Sequence, residues 1–185
     1  MQNKHFPKQN PKRPAPIEIL QCIDSVKVVY VNFNGEVKSG TIEIHTDLSL
    51  DVKLFFEEAL KLGFPVERVV KSSDSKYKWN DDALIADNAT SGFNYRLIKG
   101  TDRPSLHGLG RAFDVNDVLN PYIRYVDDTV AVDPSYAVYD PSTPGTLTAD
   151  HPLVVFMKKR GWEWGGDWTP ESGRIDYQHF QKQAE

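Results

Sequence analysis

Two periods organise the apolar positions of this chain. Around Asn34-Gly35, the stretches "VKVVYVNF" and "SGTIEIHT" alternate apolar and polar residues, and Asn-Gly tolerates the positive φ of a tight turn, so the pattern predicts a β-hairpin. In its second arm Ile42 and Ile44 alternate with Thr41, Glu43 and His45, as in a half-buried strand. In "LSLDVKLFFEEALKLGFP" the period lengthens to about 3.6, and Val52, Phe55, Phe56, Ala59 and Leu60 form one helical stripe. Ser49 or Asp51 is the expected start signal, and Gly63 and Pro65 stop the helix. A second helix is predicted from about Asp150 to Arg160, with Leu153, Phe156 and Met157 inward, Pro152 in the first turn and Gly161 at the exit. Between the helices lie two short strand-like pieces, "FNYRLI" and "GRAFDVN". A loop from about Asn120 to Leu147 is long enough to cover a site or to be irregular surface. Residues 1–16 are rich in proline, lysine and arginine and bury almost nothing, which predicts a disordered or extended lead-in, with one folded domain over 17–185. Helices mixed with antiparallel-looking strands, without regular strand-helix alternation, give the fold class α+β: a small antiparallel sheet flanked by helices.

Composition narrows the function. With 185 residues, 39% hydrophobic and 26% charged, the chain has the make-up of one globular domain. A net charge of -4 supplies no clustered cation for a polyanion, so nucleic acid is not an expected partner. The single cysteine, Cys22, allows neither an internal disulfide nor a thiolate cage, so a metal here is held by nitrogen and oxygen. No apolar run is long enough to span a membrane. The N-terminal stretch lacks the apolar region of an intact signal peptide, so export by a removed signal or another route stays open.

The chemistry concentrates in "SLHGLGRAFDVN". Read as a strand, "GRAFDVN" sends Ala112, Asp114 and Asn116 to one face and Phe113 and Val115 to the other. Gly108 and Gly110 let the chain turn so that His107 comes back towards Asp114, which gives two ligands of a zinc site. Near the C-terminus, "DYQHF" spaces Asp176 and His179 i, i+3, a spacing that shares a face on a helical turn. His179 then supplies a third ligand, and Asp176 sits beside the metal as a carboxylate able to take a proton from water. Two imidazoles and one carboxylate suit one Zn2+ ion. Trp162, Trp164 and Trp168 are read as core and cleft wall, His45 and His151 as surface or capping residues, and His5 as without a role.

These motifs resemble those of a known family. "SLHGLGRAFDVN" fits S-x-H-x-x-G-x-A-x-D and "DYQHF" fits [DE]-x-x-H, the paired motifs of the zinc cell-wall peptidases that include D-alanyl-D-alanine carboxypeptidases and L-alanyl-D-glutamate endopeptidases. "TSGFNYR" resembles the segment where that family carries an arginine in the site, and "NPYI" and "GWEWGGDW" are similar to its carboxypeptidase-like branch. The resemblance implies a hedgehog/D,D-peptidase-like fold and hydrolysis of an amide bond in peptidoglycan stem peptides by metal-activated water. It implies His107, Asp114 and His179 as zinc ligands and Asp176 as general base and acid. It also implies Arg96 as the cation that offsets developing charge or orients substrate, and Ser105 as a polar substrate contact. Several members carry glutamate where this chain has Asp176, one methylene shorter. The implied partner is the stem peptide, the expected state a monomer, and the expected setting a bacterial envelope, periplasm or exterior, or a phage. Two rivals are carried: a non-catalytic zinc-holding binding module like the hedgehog signalling domain, and a glycan hydrolase using Asp114 and Asp176 as paired carboxylates.

Overall fold

The hairpin around Asn34-Gly35 forms with a wider connection than a two-residue turn. In the computed structural model, which describes residues 7–98, 100–127 and 129–184, helix α1 (Ile17–Leu20) leads into β1 (Ile23–Val31), paired antiparallel with β2 (Val37–His45). Within the turn only Gly35 has positive φ, +75°. Its N–H donates to the Asn32 carbonyl, and the Asn32 side chain accepts from the N–H groups of Asn34 and Glu36, so Asn34 need not leave its ordinary backbone region. His5 and the rest of residues 1–6 lie outside the described residues; residues 7–16 hold no helix or strand, and Ala15 is buried with Leu20, Ile23 and Phe93.

Helix α2 (Ser49–Leu62) lays Val52, Phe55, Phe56 and Ala59 under Val28, Tyr30, Ile42 and Ile44 of the hairpin. Leu60 does not join that stripe: about 100° per residue turns it to the flank, and it is 36% exposed. Neither Ser49 nor Asp51 caps the helix. The chain enters α2 through a 3-10 turn, Thr46–Leu48, whose first residues are capped by His45 Nδ1 accepting the Asp47 N–H. Asp51 instead accepts from Arg160 Nε, Trp162 Nε1 and Lys182 Nζ, tying α2 to the C-terminal half.

Two short strands, β3 (Arg68–Val69) and β4 (Ala89–Thr90), pair in parallel on either side of α3 (Asp81–Ala86). "FNYRLI" is not a strand. Phe93 N–H bonds to the Glu43 carbonyl and Asn94 N–H to the His107 carbonyl, one bond to each side, so the segment bridges two elements without a ladder. Strand β5 (Ala112–Asp114) follows. The long loop is built as well: β6 (Tyr122–Val126) and β7 (Thr129–Asp133) form a hairpin inside it. Helix α4 (Pro152–Lys158) is capped by His151 and buries Leu153, Val154 and Met157, with Phe156 at the margin.

The last strands are β8 (Glu163–Trp164), β9 (Arg174–Asp176) and β10 (His179–Gln181). They complete two antiparallel three-stranded sheets, β5-β10-β8 and β7-β6-β9. The register of β5 against β10 pairs Asp114 with His179, Phe113 with Phe180 and Ala112 with Gln181. Phe113 and Phe180 stack on each other and meet Phe55 at 5.2 and 5.7 Å between centroids. Each fully buried ring contributes about 2–3 kcal/mol. Because side chains alternate, that anchoring sends Asp114, His179 and Gln181 together to the other face. The architecture is α+β, and among the described residues no helix is long and apolar enough to cross a membrane.

Candidate metal centre

Cross-strand register fixes two of the three candidate ligands. Asp114 and His179 are direct partners, and the Asp114 carboxylate lies 2.9 Å from His179 Nδ1. His107 arrives from a separate 3-10 turn, His107–Leu109, with its Nε2 at 3.1 Å from Asp114 and 3.2 Å from His179 Nδ1. Donor atoms of the three residues all fall within 4.8 Å of one another. The turn needs a glycine at 110, where φ is +66° and a Cβ would meet Ile23 Cδ1 at 2.4 Å and the His45 nitrogen at 2.9 Å. Gly108, by contrast, has ordinary φ.

The outer nitrogens of both rings are occupied, which determines what the inner ones offer. The Gly92 carbonyl, 2.8 Å from His107 Nδ1, can only accept, so Nδ1 carries the proton and Nε2 a lone pair. Gln181 Nε2 donates to the Glu163 carboxylate, so its Oε1 faces His179 Nε2, accepts at 3.0 Å and leaves Nδ1 with a lone pair. Two imidazole lone pairs and a carboxylate thus converge with no proton between them. Such a donor set could hold a cation, and nitrogen, nitrogen and oxygen from two histidines and an aspartate fit zinc with a position left open. Without the ion, the cluster draws in a proton. Burial opposes charge on His179, but the hydrogen bond and the charge of Asp114 outweigh it and raise its pKa, and both imidazoles hold Asp114 far below the usual carboxylate range against its own burial.

Asp176 is brought to this cluster, though not on a helical turn. It ends β9, and the two residues Tyr177 and Gln178 turn the chain into β10, so Asp176 and His179 belong to different sheets that meet at a corner. Tyr177 N–H bonds to the Pro121 carbonyl, and Trp164 Nε1 bonds to the Tyr177 carbonyl, which pins the corner from both sides. Among the described residues Asp176 Oδ1 is buried without a hydrogen-bond partner. Burial pushes this carboxyl up to about 7, Asp114 adds to the rise, and His179, Arg174 and Arg96 oppose it. Proton exchange near neutral pH is the capability that follows.

Residues 99–182, which hold all four of these side chains, match a family model described as D-alanyl-D-alanine carboxypeptidase. This part of the chain is similar to that family. No curated protein and no solved structure matches the chain.

The remaining expectations fare differently in this segment and just upstream of it. Arg96 is engaged with Asp81 at 3.4 Å, while still acting electrostatically on Asp176. Ser105 Oγ accepts the Gly108 N–H at 3.0 Å, so its oxygen holds the turn that carries His107. Asn116, with φ +50°, ties Glu67, Pro65 and Gly145 together. Asp114 spends both oxygens on imidazoles, which removes it as one of two free carboxylates for glycan hydrolysis. Trp162 and Trp164 are core, whereas half-buried Trp168 stands with its ring 5.6 Å from that of His179. Sequence reasoning missed Gly92, Gln181 and Glu163, and also Asp117. Asp117 is 2% exposed, its Oδ1 lacks a partner, and burial with Asp114, Asp176 and Asp81 nearby raises its pKa far above the ordinary value. The run "DVND" was the only signal for it.

Proposed function

We propose that this chain is a zinc metallopeptidase that hydrolyses an amide bond in peptidoglycan stem peptides, as a D-Ala-D-Ala carboxypeptidase or an L-Ala-D-Glu endopeptidase, on a hedgehog/D,D-peptidase-like fold. The observation that carries the proposal is the convergence of His107, Asp114 and His179 with both outer ring nitrogens already hydrogen-bonded. Those three residues would hold one Zn2+, which when bound supplies Lewis acidity towards water and the scissile carbonyl. Asp176 acts beside them. Its carboxylate takes the proton of the attacking water and passes it to the leaving amine, a task suited by a pKa raised to about 7 and an oxygen left without a partner. Arg96, held by Asp81, contributes positive field to the same region, and Ser105 acts by keeping His107 in place. The expected substrate places the work in a cell envelope, periplasm or exterior, and the expected state is a monomer.

The test is mass spectrometry of fragments released from defined muropeptides, with and without chelator, together with metal analysis. The expected outcome is about one zinc per chain and chelator-sensitive release of amino groups. Asp176→Asn is expected to keep zinc and lose at least about a hundredfold in turnover. His107→Ala is expected to lose both. Normal turnover by Asp176→Asn would remove Asp176 from its role, and chelator-resistant turnover would remove the metal.

A further inference from the structure

On one face of the β7-β6-β9 sheet two arginines stand directly opposite each other. Arg124 pairs with Arg174 in the antiparallel register, as Tyr122 pairs with Asp176. Directly paired residues send their side chains to the same side, and the two-residue period of β9 puts Arg174 there with Asp176. Like charges in direct opposition destabilise a strand pair. Among the described residues neither guanidinium makes an ion pair or a side-chain hydrogen bond, although Arg174 acts at longer range on the Asp176 carboxyl. They rest instead on aromatic rings, Arg124 at 6.0 Å from the Tyr122 centroid and Arg174 at 4.6 Å from that of Trp168. Trp168 in turn neighbours His179, so this support reaches the ligand cluster. Both arginines are exposed. Arg96, the cation expected from sequence, is by contrast committed to Asp81.

We propose that Arg124 and Arg174 together form a subsite for a carboxylate of the substrate, beside Asp176, and that this subsite makes the enzyme prefer stem peptides with free carboxylates over amidated ones. The inference rests on the peptidase reading for its substrate class. Planar guanidinium groups match a carboxylate through paired N–H donors, and an anion between them removes the repulsion that the fold leaves standing. Arg174 also lies on the same strand face as the proton acceptor, so a carboxylate held there orients the neighbouring amide along β9 towards Asp176.

The experiment compares one stem peptide carrying D-glutamate with the same peptide carrying D-isoglutamine, by calorimetric binding to the metal-free chain and by kcat/KM with zinc. The wild-type chain is expected to bind the acidic peptide about tenfold or more tightly than the amidated one. Arg174→Gln and Arg124→Gln should each reduce that ratio several-fold, chiefly through KM. The double variant should bind the two peptides alike, with zinc content unchanged and thermal unfolding no lower than in the wild type. A double variant that keeps the preference, or a wild-type chain without one, overturns the subsite. Arginine-dependent binding of the acidic peptide with no cleavage of either would overturn the peptidase reading and leave the subsite standing. Equal cleavage of both peptides would do the reverse.

Discussion

Gln181 determines which nitrogen of His179 is free. Its carbonyl oxygen accepts the Nε2 proton only because Glu163 holds the amide's other end, so a chain of three side chains, running outward from the ligand cluster, sets one tautomer. Gln181→Leu is therefore expected to weaken zinc binding about 10–100-fold while leaving the fold intact, read by competition with a chromophoric chelator. A change under about twofold would show that the ring needs no such support. At this scale the candidate ligands were legible as residue types and their supports were not. His107, Asp114 and His179 announce themselves by residue type within two short motifs. The acceptor that orients His107 is the backbone carbonyl of Gly92, and a backbone carbonyl leaves no mark in a sequence. Ser105 and Arg96 were visible, but their oxygen and guanidinium are engaged by Gly108 and Asp81, partners that no local spacing reveals.

Among the elements, the 3-10 turn at His107 and the clamp at Asp51 hold the most. Gly110→Ala would place a Cβ against Ile23 and the His45 nitrogen at positive φ, where His45 N–H also bonds to the Gly110 carbonyl. The expected result is a loss of about 2 kcal/mol or more in urea denaturation, with weakened zinc binding because His107 heads the displaced turn. Asp51→Ala removes the acceptor shared by Arg160, Trp162 and Lys182 and should cost about 2 kcal/mol with metal affinity unchanged, since no ligand lies on α2. Periodicity made the hairpin, α2, α4 and β5 legible. It failed at Asp176 and His179, because an i, i+3 pair looks the same whether a helical turn or a two-residue strand corner brings it together. It failed also in the long loop, where "YIRYV" and "TVAVD" carry strand composition, but the first pairs with β9, some fifty residues away, as well as with the second.

For the molecule as a whole, one buried acid gives stability a pH dependence that the site does not create. Glu43 is 3% exposed on β2, and burial outweighs Lys71, the Ser25 hydrogen bond and Lys8, raising its pKa from 4.5 to about 7. Between those values the unfolded chain has released a proton that the folded chain keeps, so this contribution is present in full at low pH and is lost as pH rises through the folded value. The loss is of the order of 3 kcal/mol. Urea denaturation of wild type and Glu43→Gln between about pH 5 and pH 8 should show a steeper decline for the wild type, and parallel curves would refute it.

The corner at Tyr177 and Gln178 has a mechanical meaning. Asp114 and His179 stand on the sheet formed by β5, β10 and β8, with His107 on its own 3-10 turn, while Asp176 is mounted on the sheet formed by β6, β7 and β9. On the proposed function, ion capture and catalytic reach are separately adjustable: a slight tilt of the β6-β7 arm carries Asp176 with it and leaves the grip on the ion untouched. Evolution could retune the speed of such an enzyme from the outer arm alone, without touching any residue that holds its metal.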